Sequence, residues 1–220
     1  MPRVDIGRIR EHLRLYLVMG SVNCGRDPLV VLEEALQGGV TLFQLREKGA
    51  DCLTGSRLHE FAQAARRLCH QYDVPFLVND DVELALAVDA DGVHLGQDDE
   101  PADRVRSRMG DKIIGVSVHS LTEAEQAVRA GADYAGAGPM FPTRSKPDAH
   151  PVQGPELVRR LRAGGASLPL VGIGGITADN AASVLQAGTD GVAVISAISW
   201  AEAPREAAQS LRSILSRSVL

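Results

Sequence analysis

The strongest constraint on this chain is a repeated alternation. Short apolar runs recur at Leu15–Met19, Thr41–Leu45, Phe76–Val78, Gly92–Leu95, Ile113–Ser117, Tyr134–Ala137, Leu170–Ile173 and Gly191–Ile195, with helix-forming stretches between them. Strands this apolar must be covered on both faces. Strand–helix alternation then requires parallel crossovers. The run entrances also echo one another, as "GGVTLFQL", "DADGVHLG", "AGADYAGAG" and "AGTDGVAVI". Each is a small turn feeding an apolar run. Eight such units within about 200 residues predict a closed (β/α)8 barrel, the TIM barrel of the α/β class. It occupies residues 1–220 as a single domain, with a short polar N-terminal extension. The competing architecture is an open doubly wound sheet. It lacks the expected G-x-G-x-x-G turn after the first strand.

Helix boundaries are readable between the runs. Asp27-Pro28 is an N-cap followed by Pro at the first helical position. Ser120 and Glu123 have capping-box spacing, and Thr177 can cap a helix running to about Gln186. Leu58, Phe61, Ala62, Ala65 and Leu68 mark one buried helical face. Gly131, Gly188 and the Gly38-Gly39 pair stand where helices close. The tail from Glu202 to Leu220 reads as a closing helix with Leu211 and Ile214 inward.

Bulk properties narrow the functional class. Hydrophobic residues make up 45% of the 220, charged residues 23%, and the net charge is -5. These are globular values without a general nucleic-acid or membrane-surface signature. No run has the length and apolarity of a bilayer span, and the first fourteen or so residues lack a signal peptide's apolar middle. A cytoplasmic location is the expectation. Cys24, Cys52 and Cys69 fit no compact zinc pattern and read as free thiols. The exposed barrel helices leave a homodimer open.

In a barrel of this kind chemistry concentrates just after each strand. The second run exits into Gln44-Leu45-Arg46-Glu47-Lys48, which sets two cations where an anion can bind. The third and fourth exit into Asn79-Asp80-Asp81 and Gln97-Asp98-Asp99. Carboxylates at adjacent exits suit Mg2+, which takes one or two of them plus substrate phosphate. Asp81 and Asp98 read better as helix caps, and His94 as a hydrogen-bonded structural side chain. The fifth exit offers Ser117 as a donor to phosphate and His119 as an acid or base. The sixth places Thr143, Arg144, Ser145 and Lys146 in the longest polar insertion, Met140 to Gln153. The seventh and eighth bring Gly174-Gly175 and Ile195-Ser196, suited to phosphate through backbone N–H groups. The sum is two anionic sites on one face, for two phosphorylated substrates or one with two phosphate ends.

The motifs "QLREKG", "VNDDVELAL", "DGVHLGQDD", "IIGVS", "GPMFPTRSK", "GIGGI" and "GVAVISAI" occur in order between about Tyr16 and Ala201. In these the chain resembles the thiamine-phosphate synthase family. That resemblance implies a transferase. It couples 4-amino-2-methyl-5-hydroxymethylpyrimidine diphosphate to 4-methyl-5-(2-phosphoethyl)thiazole, or its carboxylated form, and releases pyrophosphate. It further implies that Gln44 to Lys48, Asn79, Ser117 and Lys146 bind the pyrimidine diphosphate. Asp80 and Asp99 would hold Mg2+. Thr143 to Ser145, Gly175, Ile195 and Ser196 would hold the thiazole phosphate. Arg46, Lys48, Ser117 and Lys146 are the implied catalytic groups. The family often has Thr where Ser145 stands, and both supply a hydroxyl. The alternatives are a thiazole tautomerase of the same fold, in which His119 would move a proton, an isomerase or aldolase barrel, and a non-catalytic phosphate-metabolite sensor.

Overall fold

The computed structural model describes residues 4–145 and 150–217. Eight parallel strands close in sequence order into one barrel. They are β1 (Leu15–Met19), β2 (Leu42–Leu45), β3 (Phe76–Asn79), β4 (Gly92–Leu95), β5 (Ile113–Val118), β6 (Tyr134–Ala137), β7 (Leu170–Ile173) and β8 (Gly191–Val194). The ring closes where β8 pairs with β1, with Leu15 opposite Val192 and Leu17 opposite Val194. The expected runs therefore hold to within one residue at each end. Thr41 lies just before its strand, and Ile195 just after.

Helices cover the barrel as α1 (Ile6–His12), α2 (Pro28–Gln37), α3 (Gly55–Gln71), α4 (Val82–Ala87), α5 (Ala102–Met109), α6 (Leu121–Arg129), α7 (Pro155–Ala163), α8 (Ala181–Gln186), α9 (Ser196–Ser199) and α10 (Pro204–Arg217). Several caps match the sequence reading. Asp27 accepts from the Leu29 and Val30 amides at the start of α2. Asp81 caps α4 through the Leu84 amide. Ser120 caps α6 through the Glu123 amide, but Glu123 itself reaches back to the His119 N–H, one residue beyond a strict capping box. The expected Thr177 cap is corrected. The helix there begins only at Ala181, and Asn180 takes the N-cap position. The Asn180 side chain folds back onto the Thr177 N–H and the Gly175 carbonyl, so residues 175–180 form a turn in place of a helical start.

Alternation along the strands splits the interior into two cores. Leu15, Leu17, Phe43, Leu45, Val93, Leu95, Val116 and Val192 face outward and pack under the helices. Tyr16, Leu42, Leu77, Ile113, Tyr134, Val171 and Ala193 face inward. The polar N-terminal stretch forms α1, whose Ile9 and the following Leu13 join the inward set and seal the entrance end of the barrel. Any cavity must therefore open at the C-terminal ends of the strands.

The echoing entrances have a common physical cause. A parallel strand begins with an N–H that its neighbour's backbone does not reach, and a buried N–H needs a partner. Before each even-numbered strand a polar side chain supplies it. Thr41 Oγ1 accepts from Leu15 N–H at 2.9 Å, and Asp91, Asp133 and Asp190 accept from Phe76, Ile114 and Leu170 N–H at 2.8 Å each. Each supplying residue returns its own N–H to the carbonyl of the same partner. The element preceding the odd strand completes the clasp: the His12 carbonyl for Thr41, His70 for Asp91, Arg106 for Asp133 and Arg162 for Asp190. Arg106 and Arg162 also close the ends of α5 and α7 by donating to the carbonyls of Gly110 and Lys112, and of Ala166 and Leu168.

Removing the Asp133 carboxylate takes the side-chain acceptor from the buried Ile114 N–H and the countercharge from the Arg106 guanidinium. Asp133→Ala is expected to lower the unfolding free energy by about 3 kcal/mol. Asp89→Ala removes a carboxylate that pairs with Arg66 and Lys112 at 71% side-chain exposure. It is expected to cost less than about 1 kcal/mol. Urea unfolding of the two variants checks this, and equal losses would remove the clasp from its structural role.

Candidate active site

The C-terminal mouth holds a cavity of about 970 Å³. Its floor is made by Tyr16, Val171 and Ala193, and its walls by polar side chains from the strand exits. Of the residues singled out in the sequence, Gln44, Arg46, Lys48, Asn79, Ser117, Thr143, Arg144, Ser145, Gly175, Ile195 and Ser196 all line it. Strand parity explains the selection. Gln44 and Arg46 point inward at alternate positions. Both are nearly buried, at 3% and 8% exposure.

Four of the expected residues that the structure describes, Leu45, Glu47, Asp80 and Asp99, are not among those lining the cavity. Leu45 falls on the outward parity and packs in the helix-facing core. Glu47 does not line the cavity. Its carboxylate accepts from the Ser21 N–H at 2.8 Å, the Ser21 hydroxyl and the Leu53 N–H at 2.9 Å. Glu47 thus ties the loop after β1 to the loop after β2 and holds the segment bearing Arg46 and Lys48. Gly20 makes this approach possible, because a Cβ there would lie 2.2 Å from the Arg46 carbonyl oxygen. Lys146 lies outside the described residues.

One end of the cavity carries Arg46 and Lys48. Lys48 pairs with Asp80, which follows β3. Asp80 Oδ2 is buried and accepts no hydrogen bond of ordinary geometry. Asp99 Oδ2 accepts the Gly96 N–H at 2.6 Å. Burial, with the Asp80 carboxylate beside it, raises the Asp99 pKa above its ordinary value. Two crowded carboxylates and one ammonium leave a surplus of negative charge. This donor set fits a hard divalent cation bound by two carboxylate oxygens. Among the described residues no group of three or more His, Cys, Asp or Glu is placed to hold a metal. Water and ligand oxygens would have to supply the remaining coordination.

The other end is built from three loops. Thr143, Arg144 and Ser145 follow β6, Gly174 and Gly175 follow β7, and Ser196 opens the turn after β8. The Ser145 and Ser196 hydroxyls lie 3.3 Å apart. The Met140 and Phe141 amides donate to the Ile173 and Gly174 carbonyls, so the first part of the loop after β6 is zipped to the loop after β7. Gly175 is required there. Its φ is +64°, and a Cβ would sit 2.5 Å from the Pro142 carbonyl oxygen. Small residues and hydroxyls at converging loop ends suit a phosphate.

Between the two ends stand the residues that sequence reasoning missed or undervalued. His94 is hydrogen-bonded to Tyr134 and Ser117, as a structural side chain should be, but it also faces the cavity. Tyr16 and Tyr134 were hidden within apolar runs, with no local signal separating them from core. His119 lines the cavity, held by Glu123 at 3.1 Å and packed against the His150 ring at 4.0 Å. Trp200 stands 58% exposed at the rim. Glu47→Ala is expected to speed amide exchange at Ser21 and Leu53 more than tenfold, since two N–H groups lose an acceptor worth about 1–3 kcal/mol together. Hydrogen-exchange mass spectrometry of peptides spanning residues 20–53 checks it, and unchanged exchange would sink the loop-tying role.

Comparison with known proteins agrees with this geometry. The family model described as "Thiamine monophosphate synthase" matches residues 15–198. A thiamine-phosphate synthase of Geobacillus kaustophilus (strain HTA426) is 58% identical over 211 residues, covering 96% of each chain. That of Bacillus cereus (strain ATCC 14579) is 54% identical over 219 residues, covering 100% of each. A solved structure, a thiamine phosphate pyrophosphorylase from Pyrococcus furiosus, superposes with a TM-score of 0.86 at 40% identity, covering 96% of this chain and 100% of its own. The chain belongs to the thiamine monophosphate synthase family.

Proposed function

We propose that this mouth joins the methylene carbon of 4-amino-2-methyl-5-hydroxymethylpyrimidine diphosphate to the nitrogen of 4-methyl-5-(2-phosphoethyl)thiazole, or its carboxylated form, giving thiamine phosphate and pyrophosphate. The observation that carries the reading is one cavity lined by Arg46 and Lys48 after β2 and by Thr143, Arg144, Ser145, Gly175 and Ser196 after β6, β7 and β8, two sets of groups suited to anions. Two phosphorylated substrates can place their charged tails at the two ends and their rings between them. Family membership supports the same reaction.

The bond changes require little of the protein beyond charge and position. The carbon–oxygen bond to diphosphate breaks first, and its electron pair leaves with the diphosphate. The electron-rich aminopyrimidine ring stabilises the cation left behind. The thiazole nitrogen then supplies its lone pair to the same carbon. No protein nucleophile is needed, in keeping with a cavity rich in cations and hydroxyls. Arg46 and Lys48, with Lys146, bind the diphosphate and oppose its developing charge, as preorganised cations do in a site shielded from water. Asp80 and Asp99 would hold Mg2+, which when bound neutralises charge on the departing diphosphate. Asn79, Gln44 and Ser117 orient the pyrimidine. Thr143, Arg144, Ser145, Gly175, Ile195 and Ser196 hold the thiazole phosphate.

The test is mass-spectrometric detection of thiamine phosphate after both substrates are mixed with the protein, with and without Mg2+. Mg2+-dependent product with stoichiometric pyrophosphate is expected. No product from folded protein and intact substrates would overturn the reading. Proton exchange on the thiazole carboxylate phosphate alone would then favour the tautomerase. Lys146→Ala is expected to lower kcat by at least about tenfold through lost charge stabilisation, with a midpoint of urea unfolding close to that of the native protein. A normal kcat would remove Lys146 from the leaving-group role.

A further inference from the structure

A continuous chain of hydrogen bonds crosses the barrel beneath the site. It runs from Gln44 Nε2 to the Tyr16 hydroxyl, from Tyr16 to the Tyr134 hydroxyl at 2.8 Å, from Tyr134 to His94 Nδ1 at 2.9 Å, and from His94 Nε2 to Ser117 Oγ at 3.0 Å. Its members come from five different strands, β2, β1, β6, β4 and β5. Space for it is built into the backbone. A Cβ at Gly115 would lie 2.1 Å from the Tyr134 ring, and one at Gly136 would lie 3.2 Å from the His94 ring. Both phenols are buried, and burial raises their pKa values above that of an ordinary tyrosine, so each keeps its hydrogen.

With the Gln44 amide nitrogen facing Tyr16, counting hydrogens sets the direction of the chain. The Gln44 amide nitrogen can only donate, so the Tyr16 oxygen accepts there. Within the chain the hydrogen of Tyr16 then has one acceptor, the Tyr134 oxygen. The hydrogen of Tyr134 passes to His94 Nδ1. A neutral imidazole that accepts at Nδ1 carries its hydrogen at Nε2. That hydrogen goes to Ser117 Oγ, and the Ser117 hydrogen is left for the cavity. The reverse direction would need the Gln44 amide turned so that its oxygen, not its nitrogen, faces the Tyr16 hydroxyl.

We propose that Tyr16, Tyr134 and His94 are positioning residues that lock His94 as the Nε2–H tautomer and so present Ser117 to the bound pyrimidine diphosphate as a hydrogen-bond donor. The tautomer follows from a chain that begins at the Gln44 nitrogen, and the identity of the recipient rests on the reaction proposed above. Ser117 then favours a ligand group with a lone pair at that point, such as a ring nitrogen or a phosphate oxygen.

Two measurements test it. The first is long-range proton–nitrogen correlation on ligand-free protein carrying nitrogen-15 histidine near neutral pH, with His94 assigned by the signals lost in His94→Gln. A protonated Nε2 and an unprotonated Nδ1 are expected. An Nδ1–H tautomer or an imidazolium pattern overturns the proposal. The second uses Tyr134→Phe, which keeps the ring and removes the donor to Nδ1. It is expected to mix the two His94 tautomers and lower kcat/KM for the pyrimidine diphosphate about tenfold. In a Ser117→Ala background the same change should cost less than about twofold, because the hydroxyl it orients is gone. Equal losses in both backgrounds overturn the proposal. Failure of the native protein to form thiamine phosphate would remove the reaction reading, while the spectrum of His94 would still decide the relay.

Discussion

Closing a parallel barrel depends on satisfying the N–H groups at its strand entrances. The clasps at Thr41, Asp91, Asp133 and Asp190 do this four times, each joining an odd strand to the next even one. The solution differs in chemistry and not in geometry. A threonine hydroxyl serves at the first entrance, where α1 presents a carbonyl, and aspartates serve at the other three, where His70 shares a hydrogen bond and Arg106 and Arg162 supply the countercharge. The repeat of two strands and two helices is therefore the structural unit. Once its entrances are held in register, inward and outward parity is set along every strand.

That parity carries the site. Because successive side chains face opposite ways, the inward set passes from apolar at the entrance end to polar at the exit. Ile9, Leu13, Leu42, Leu77 and Ile113 fill the closed end. Tyr16, Tyr134 and His94 form a middle layer, and Gln44, Arg46, Asn79 and Ser117 face the cavity above it. Among inward-facing side chains, charge is thus confined to the exit end, above an apolar interior. A floor of low polarity strengthens each electrostatic contact made to a ligand above it. It also makes the polar middle layer costly unless every hydrogen finds an acceptor, and the chain from Gln44 to Ser117 meets that requirement.

The loops add a second level of support. Glu47 joins the loops after β1 and β2, Asn180 folds the loop after β7 onto Gly175, and the Met140 and Phe141 amides zip the loops after β6 and β7 together. Each is a side chain or amide with no evident chemistry of its own. Each fixes a neighbour that faces the ligand.

The strands, their order and the end of the barrel that carries chemistry were legible in the sequence, because apolar runs and their spacing are local properties. Most of the cavity residues were legible too, since function at strand exits is a rule of position. The alternation within the "QLREKG" motif also sends Leu45 and Glu47 away from the cavity, while Gln44 and Arg46 face it. Other features could not be read from the chain at all. Tyr16 and Tyr134 are separated by 118 positions and become polar partners only across the closed barrel. The helical N-terminal plug, the turn that displaces the expected Thr177 cap and the proton direction through His94 have the same character. Local periodicity determined which segments are strands and which ends face solvent. Only closure of the ring decided which side chains meet, because hydrogen bonds between distant strands exist only once geometry brings donor and acceptor within about 3 Å.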